Sequence, residues 1–182
     1  MENIRVVEGK QVYLRYMTVE DTDMILRWRN SPIVRDNFIY RKEITREDHL
    51  NWIKNKIETG QVVQFVVCDK ETDKPYGSVY LQNFEWQHKK AELGIFLGEP
   101  EAFGRGIGKE AAALLLEYGF KHRKLHKIVS RVLPYNTASI RTHEAVGYKQ
   151  EAYLRDEVII EGKFHDVVLL GVLNPNVGPG EE

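Results

Sequence analysis

Two rhythms of apolar positions run along this chain, and the changes between them mark its elements. Val12 and Leu14 sit between polar neighbours across residues 11–15, an alternation that predicts a first strand. Thr18 then stands three residues before Asp21, with Glu20 between them, so a helix begins there with acids in its first turn. Pro32 biases Ser31 away from helical geometry and closes that helix near Asn30. Thr45 as cap and Asp48 at the third helical position open a second helix, whose apolar face is Leu50, Ile53 and Ile57 and whose stop is Gly60.

From Gln61 the period falls to two. Strands are predicted over 62–68, 77–86 and 91–97, with a turn segment around Pro75 between the first two. A glycine-rich loop follows, then a helix with apolar residues at Ile107, Ala111, Leu114, Leu115 and Tyr118. Residues 127–133 read as a strand and 137–146 as a helix closed by Gly147; a last hairpin pairs 149–160 with 164–173 around Glu161-Gly162-Lys163. This order describes an α/β (α+β) protein with a mixed, mostly antiparallel sheet of about seven strands and four helices, not an alternating doubly wound fold.

A length of 182 residues suits one domain, placed at 1–173, and the Gly-, Pro- and Glu-rich stretch 174–182 reads as a disordered tail. With 26 basic against 27 acidic residues the chain is no general polyanion binder, which argues against nucleic acid as a partner. Cys68 is the single cysteine; it lies in an apolar run and reads as a small buried strand residue. No apolar stretch approaches a membrane span and the first residues lack the features of a signal peptide, so the cytoplasm is the expected compartment.

Candidate chemistry begins at Phe103-Gly104-Arg105-Gly106-Ile107-Gly108-Lys109, between a strand and an amphipathic helix. Its glycines permit a turn with exposed amides, the helix adds free N–H groups and the positive end of its dipole, and Arg105 and Lys109 add charge locally. A P-loop would need Ser or Thr after Gly108-Lys109, where Glu110 stands, and a dinucleotide-binding unit would place the loop after a first strand.

These residues resemble the pyrophosphate loop of the GCN5-related N-acetyltransferase (GNAT) superfamily, Gln/Arg-x-x-Gly-x-Gly/Ala, in all but the first position, where Phe103 stands. An aromatic there is similar to the branch that includes ribosomal-protein N-terminal acetyltransferases. Trp28-Arg29-Asn30, Asn136-Thr137-Ala138-Ser139, Gly147-Tyr148 and Gly162-Lys163-Phe164-His165-Asp166 look like the same branch, and the likeness spans residues 10–173. The stretch from Trp28-Arg29-Asn30 to Asp48-His49-Leu50 also resembles nucleotide-sugar N-acetyltransferases of the pseudaminic acid pathway.

The resemblance implies an N-acetyltransferase that moves acetyl from acetyl-CoA to a primary amine by direct attack in a ternary complex. It implies a sheet splayed between the strands at 91–97 and 127–133, with acetyl-CoA in the gap and no metal needed. Backbone groups at Ile95, Phe96 and Leu97 would pair with the pantetheine arm and polarise the thioester carbonyl. The loop from Phe103 through Lys109 would hold the pyrophosphate, with Asn136 also on the cofactor. Glu92 is the candidate general base. The family's usual acid, a tyrosine, is replaced by His143, which can donate near neutral pH. Tyr135 is a further candidate acid, and Ser139 would face the thiol.

On the acceptor side, Arg29, Asn30, Phe38 and Tyr40 would wall the pocket, although Phe38 reads first as core and Arg29 reads equally as a helix-end cap. The acceptor is expected to be a protein N-terminus, an amino sugar or another small amine; Glu43, Glu47 and Asp48 make only a modest acidic patch for a polyamine. A homodimer follows from family habit alone. The alternative reading is a catalytically inactive acyl-CoA-binding sensor or interaction module, suggested by the histidine at position 143; a nucleotide-binding regulatory domain is a third.

Overall fold

Alternation in the first half of the chain produces a sheet covered on both faces. The structure, a computed structural model, describes residues 4–176. Its strands are β1 (Arg5–Glu8), β2 (Val12–Tyr16), β3 (Val63–Asp69), β4 (Pro75–Glu85), β5 (Lys90–Leu97), β6 (Lys127–Val132), β7 (Lys149–Ile160) and β8 (Lys163–Leu173). They form one sheet in the order β1-β2-β3-β4-β5-β6-β8-β7. Every neighbouring pair is antiparallel except β5 and β6, which are parallel.

The helices are α1 (Thr22–Asn30), α2 (Pro32–Arg35), α3 (Arg46–Trp52), α4 (Ile107–Lys121) and α5 (Thr137–Glu144). On one face Leu14, Phe65, Val67, Val79 and Leu81 pack under Ile107, Ala111 and Leu115 of α4. On the other, Tyr13, Val66, Cys68 and Phe96 meet Ile25, Trp28, Val34 and Ile53. Successive residues of one strand thus enter different cores, so shifting a strand by one place would expose both sets. No described helix is long and apolar enough to cross a membrane.

Both expected caps are present. Thr45 Oγ1 accepts from the Asp48 amide at 3.1 Å while Asp48 accepts from the Thr45 amide at 2.9 Å. Thr18 donates its amide to Asp21 at 2.9 Å, opening a single 3-10 turn, Val19–Asp21, before α1.

Four expectations need correction. The sheet has eight strands, because β1 is too short and too exposed at both ends to show a period. Five α-helices are described, the extra one being the single turn α2, where Pro32 occupies the first helical position instead of only ending α1. The buried face of α3 is not the expected one: His49 is inside and Leu50 is 37% exposed. A π-turn, Ile53–Ile57, continues α3, with Ile53 also buried. Asn174, expected in a tail, is buried and donates its amide to the His126 carbonyl at 2.7 Å and its side chain to Leu125 at 3.2 Å. The rest of that stretch, 177–182, lies outside the described residues.

Beneath α1, Arg15 makes a two-pronged pair with Asp21, Nη1 to Oδ2 at 2.8 Å and Nη2 to Oδ1 at 2.6 Å, and Asp21 is buried. Burial alone would raise the Asp21 pKa, but Arg15 and the Thr18 amide hold it below the ordinary value. Asp21→Asn leaves a buried guanidinium without its anion and should cost on the order of 3 kcal/mol at neutral pH. The depressed pKa makes this contribution complete above the unfolded value near 4 and lost as pH falls through the folded one. Urea unfolding of both proteins should therefore show a gap at pH 7 that closes in acid below about pH 4.

Candidate functional site

β5 and β6 run together for three rungs only, Lys90↔Lys127, Ala91↔Ile128 and Glu92↔Val129. Beyond them β5 stays with β4 as far as Gly77↔Leu97, and β6 stays with β8 as far as Val132↔Val168. The last tie across the gap is the Ser130 hydroxyl, which donates to the Leu93 carbonyl at 3.2 Å. The strands part into a cleft of about 1020 Å³, with Ile95, Phe96 and Leu97 on one wall and Leu133, Asn136 and Ser139 on the other.

At one end of this cleft stands the glycine loop. Gly104 and Gly106 have φ of +71° and +78°, and a Cβ at either would meet no heavy atom within 4 Å. The turn therefore needs glycine for its backbone, and the space above it is open. Gly106 caps α4, whose first amides have no intrahelical acceptor and point the same way. Phe103 and Gly108 line the cleft, whereas the Ile107 side chain is core and can offer only its amide. Arg105 is turned back, donating to the Tyr76 hydroxyl at 3.2 Å, and Lys109 is exposed and outside the cleft lining. Glu110 fixes the helix start by accepting from the Gln11 amide at 2.8 Å, and a Cβ on Gly9 would come within 2.2 Å of its carboxylate.

α5 closes the opposite wall. Asn136 Oδ1 accepts from the Ser139 amide at 3.1 Å, so the side chain acts as an N-cap while the residue faces the cleft. His143 also lines the cleft, and its Nδ1 lies 2.7 Å from the Ser139 carbonyl. A carbonyl only accepts, so the ring proton is on Nδ1, and Nε2 is a buried lone pair with no partner among the described residues. Burial lowers the pKa of His143, with the Ser139 carbonyl opposing. The residue expected as the acid thus presents an acceptor. Tyr135 is not in the cleft lining; its hydroxyl donates to the Asp36 carbonyl at 2.8 Å and contacts Arg41, which removes it from the acid role.

Glu92 lies at the fork itself and takes a hydrogen bond from Asn83 Nδ2 at 3.0 Å, on one of its two oxygens. Asn83 reaches it from an irregular stretch of β4 where its own φ is +52°, a conformation asparagine tolerates. Tyr80 crosses from β4 over Gly94, where a Cβ would lie 2.1 Å from the ring. Burial and the Glu92 charge push its hydroxyl up to about 12 against the opposing Arg29, so it is a neutral donor at pH 7.

Farther along the cleft, Arg29 lays its guanidinium on Phe38, 3.5 Å from the ring centroid, and Phe38 packs edge-on to Phe96 at 5.8 Å. Phe38 therefore serves both the core and the cleft. Tyr40 lines the cleft and is 56% exposed. Asn30 does not reach the cleft lining: its side chain donates to the Ile44 carbonyl and accepts the Ile44 amide, both at 2.9 Å, tying α1 to the approach of α3. His49 Nδ1 is 3.2 Å from Thr22 Oγ1, whose own proton goes to the Val19 carbonyl at 2.7 Å. His49 is therefore also an Nδ1–H tautomer with a bare, buried Nε2.

A profile of the acetyltransferase (GNAT) domain matches residues 11–149. The chain belongs to the GNAT family. It is 29% identical over 167 residues to an uncharacterized N-acetyltransferase, p20, of Bacillus licheniformis, covering 90% of this chain and 93% of that protein. It is 31% identical over 127 residues to spermidine N(1)-acetyltransferase of Vibrio cholerae, covering 69% of this chain and 72% of that one. The crystal structure of Vibrio cholerae spermidine N-acetyltransferase with CoA and spermine aligns with a TM-score of 0.82 at 25% identity, covering 91% and 96% of the two chains. As a GNAT protein the chain is an acyl-CoA-dependent acyltransferase.

This GNAT cleft also contains residues that no sequence pattern marked, Tyr80, Asn83, Gln64 and Ser130, together with His49. Glycine at position 94 is the one local trace of Tyr80, since it sits opposite it in the β4–β5 register. Both cleft histidines have pKa values lowered by burial. Their neutral burial contributes stability that is complete above the unfolded pKa near 6.5 and is lost as pH falls through the folded values. The melting temperature should drop between about pH 7 and pH 5. In calorimetric scans His143→Gln should flatten part of that drop and His49→Gln,His143→Gln more of it.

Proposed function

We propose that this protein transfers acetyl from acetyl-CoA to a primary amine by direct attack in a ternary complex. One observation carries the reading: the parting of β5 from β6 after Glu92 and Val129, beside the open glycine turn at the start of α4. The similarity to spermidine acetyltransferases supports an amine acceptor without identifying it.

Acetyl-CoA supplies the acyl group, already activated as a thioester. Gly104, Gly106 and the first amides of α4 would hold its pyrophosphate. The edge of β5 at Ile95, Phe96 and Leu97 would pair with the amide-bearing arm as an added strand would, and the same amides would polarise the reacting carbonyl. Glu92, with one oxygen held by Asn83, would take the proton of the incoming ammonium directly or through a water. Ser139 stands beside the path of the sulfur on α5. His143, whose ring proton goes to the Ser139 carbonyl, would not serve as the acid, and the leaving thiolate would take its proton from solvent.

The test is thermal stability with acetyl-CoA, CoA, ATP and NAD, followed by thiol release over a panel of amines. At about a hundred times its dissociation constant, acetyl-CoA should add roughly 2.7 kcal/mol, and ATP or NAD nothing. Gly106→Val should abolish that gain, because a β-branched residue strains the turn at φ +78°. Glu92→Gln should keep the gain and lower kcat about 10²- to 10³-fold. Stabilisation by ATP or NAD alone would overturn the proposal. Stabilisation by acetyl-CoA with no thiol released for any amine would favour the sensor reading.

A further inference from the structure

Arg29 enters the cleft from the last turn of α1, stacked on Phe38 and 5.8 Å from the Phe96 centroid. Its Nη1 is buried and has no acceptor among the described residues. Other arginines of comparable setting are paired: Arg15 with Asp21 at 2.6 Å, and Arg131, on the cleft wall, with Glu157 at 2.8 Å. Burial lowers the Arg29 pKa with only Tyr80 opposing, so no carboxylate compensates the charge. A desolvated guanidinium without an anion destabilises a fold, and ring stacking returns only part of that cost.

Tyr80 supplies a second donor at the same place. Its ring can lie across β5 only because residue 94 is glycine, and its hydroxyl donates to no acceptor among the described residues. The acids on the cleft wall are Asp48 and Glu92. Asp48 is committed to Thr45, through the amide at 2.9 Å and the hydroxyl at 2.7 Å, which leaves Glu92 to face an amine. A polyamine would bring several cations against one available carboxylate and an unpaired guanidinium.

The geometry points to an acceptor that carries an anionic group, a carboxylate or a phosphate, held by Arg29 and the Tyr80 hydroxyl while its amine faces Glu92. Placing the amine rests on the acetyl-transfer reading; the anion subsite rests on Arg29, Phe38, Tyr80 and Gly94. Simple polyamines are then poor acceptors here, whatever the relatives acetylate.

The experiment uses protein saturated with CoA, so that the glycine turn is filled and cannot bind the probes. Calorimetric titration compares two matched pairs, 2-aminoethyl phosphate against ethanolamine and β-alanine against propylamine, with spermidine alongside. The member of one pair that carries the anionic group should bind roughly tenfold tighter or better than the amine lacking it, and which pair does so separates phosphate from carboxylate. Arg29→Gln should erase the preference, keep CoA affinity and leave the melting temperature unchanged or higher, where a structural arginine would lower it. Arg29→Lys should retain part of the preference, and Tyr80→Phe should weaken it. Equal binding within both pairs, spermidine binding tighter than either anionic probe, or a preference that survives Arg29→Gln would each overturn the subsite. Because binding is read without an acyl group, failure of acetyl transfer would leave the anion subsite standing.

Discussion

Everything functional in this protein depends on two strands that stop pairing. β5 and β6 are the only parallel neighbours in the sheet, and each is held elsewhere by an antiparallel partner, β4 and β8. When those partnerships diverge, the short parallel ladder ends, and the inner edge of β5 is left without a neighbouring strand. An unpaired sheet edge is ordinarily a liability, because its amides and carbonyls lack partners. Here the edge lines a cleft shared with α5 and the segment after α1. Ser130, bridging to Leu93, marks where the ladder ends and the cleft begins.

Around that fork the protein buries polar groups it does not satisfy. The bare Nε2 atoms of His49 and His143 and one nitrogen of Arg29 are enclosed there without partners among the described residues, as are the Tyr148 hydroxyl and Arg15 Nε outside the cleft lining. Each detracts from stability, and most of them lie at the cleft rather than in the cores beneath α4 and α1. The cores are closely packed, with Leu115, Phe65 and Trp28 almost wholly enclosed. These packed faces hold the sheet, while unmet polar groups on His49, His143 and Arg29 line the cleft. Tight structural devices stand nearby, such as Gly98, where a Cβ would lie 2.0 Å from Trp28, whose indole donates to Glu99 at 2.7 Å.

The features legible in the amino-acid sequence are those whose physics is local. Alternation located β2 to β5, three-residue spacing located both capping acids, and positive-φ glycines at 104 and 106 required glycine wherever the chain went next. Family likeness extended this to the splay, and the arrangement of β5 and β6 agrees with it. Position 143 shows the limit: its identity suggested an acid, but the proton's place was decided by a carbonyl one helical turn back. Asn30 and Tyr135 look like site residues by position, yet their polar groups are used up on Ile44 and Asp36.

Composition and pattern by themselves determined a single mixed-sheet domain, its main strands and helices, and a glycine turn at the start of α4, because backbone propensity and burial periodicity act over a few neighbouring residues. Only the tertiary structure decided which polar side chains share the cleft. Tyr80 feels the charges of Arg29 and Glu92 from two other elements, Asn83 reaches Glu92 through an irregular strand, and His49 rather than Leu50 is buried in α3. Those encounters depend on register and winding between distant segments, and neither can be read from the residues one at a time.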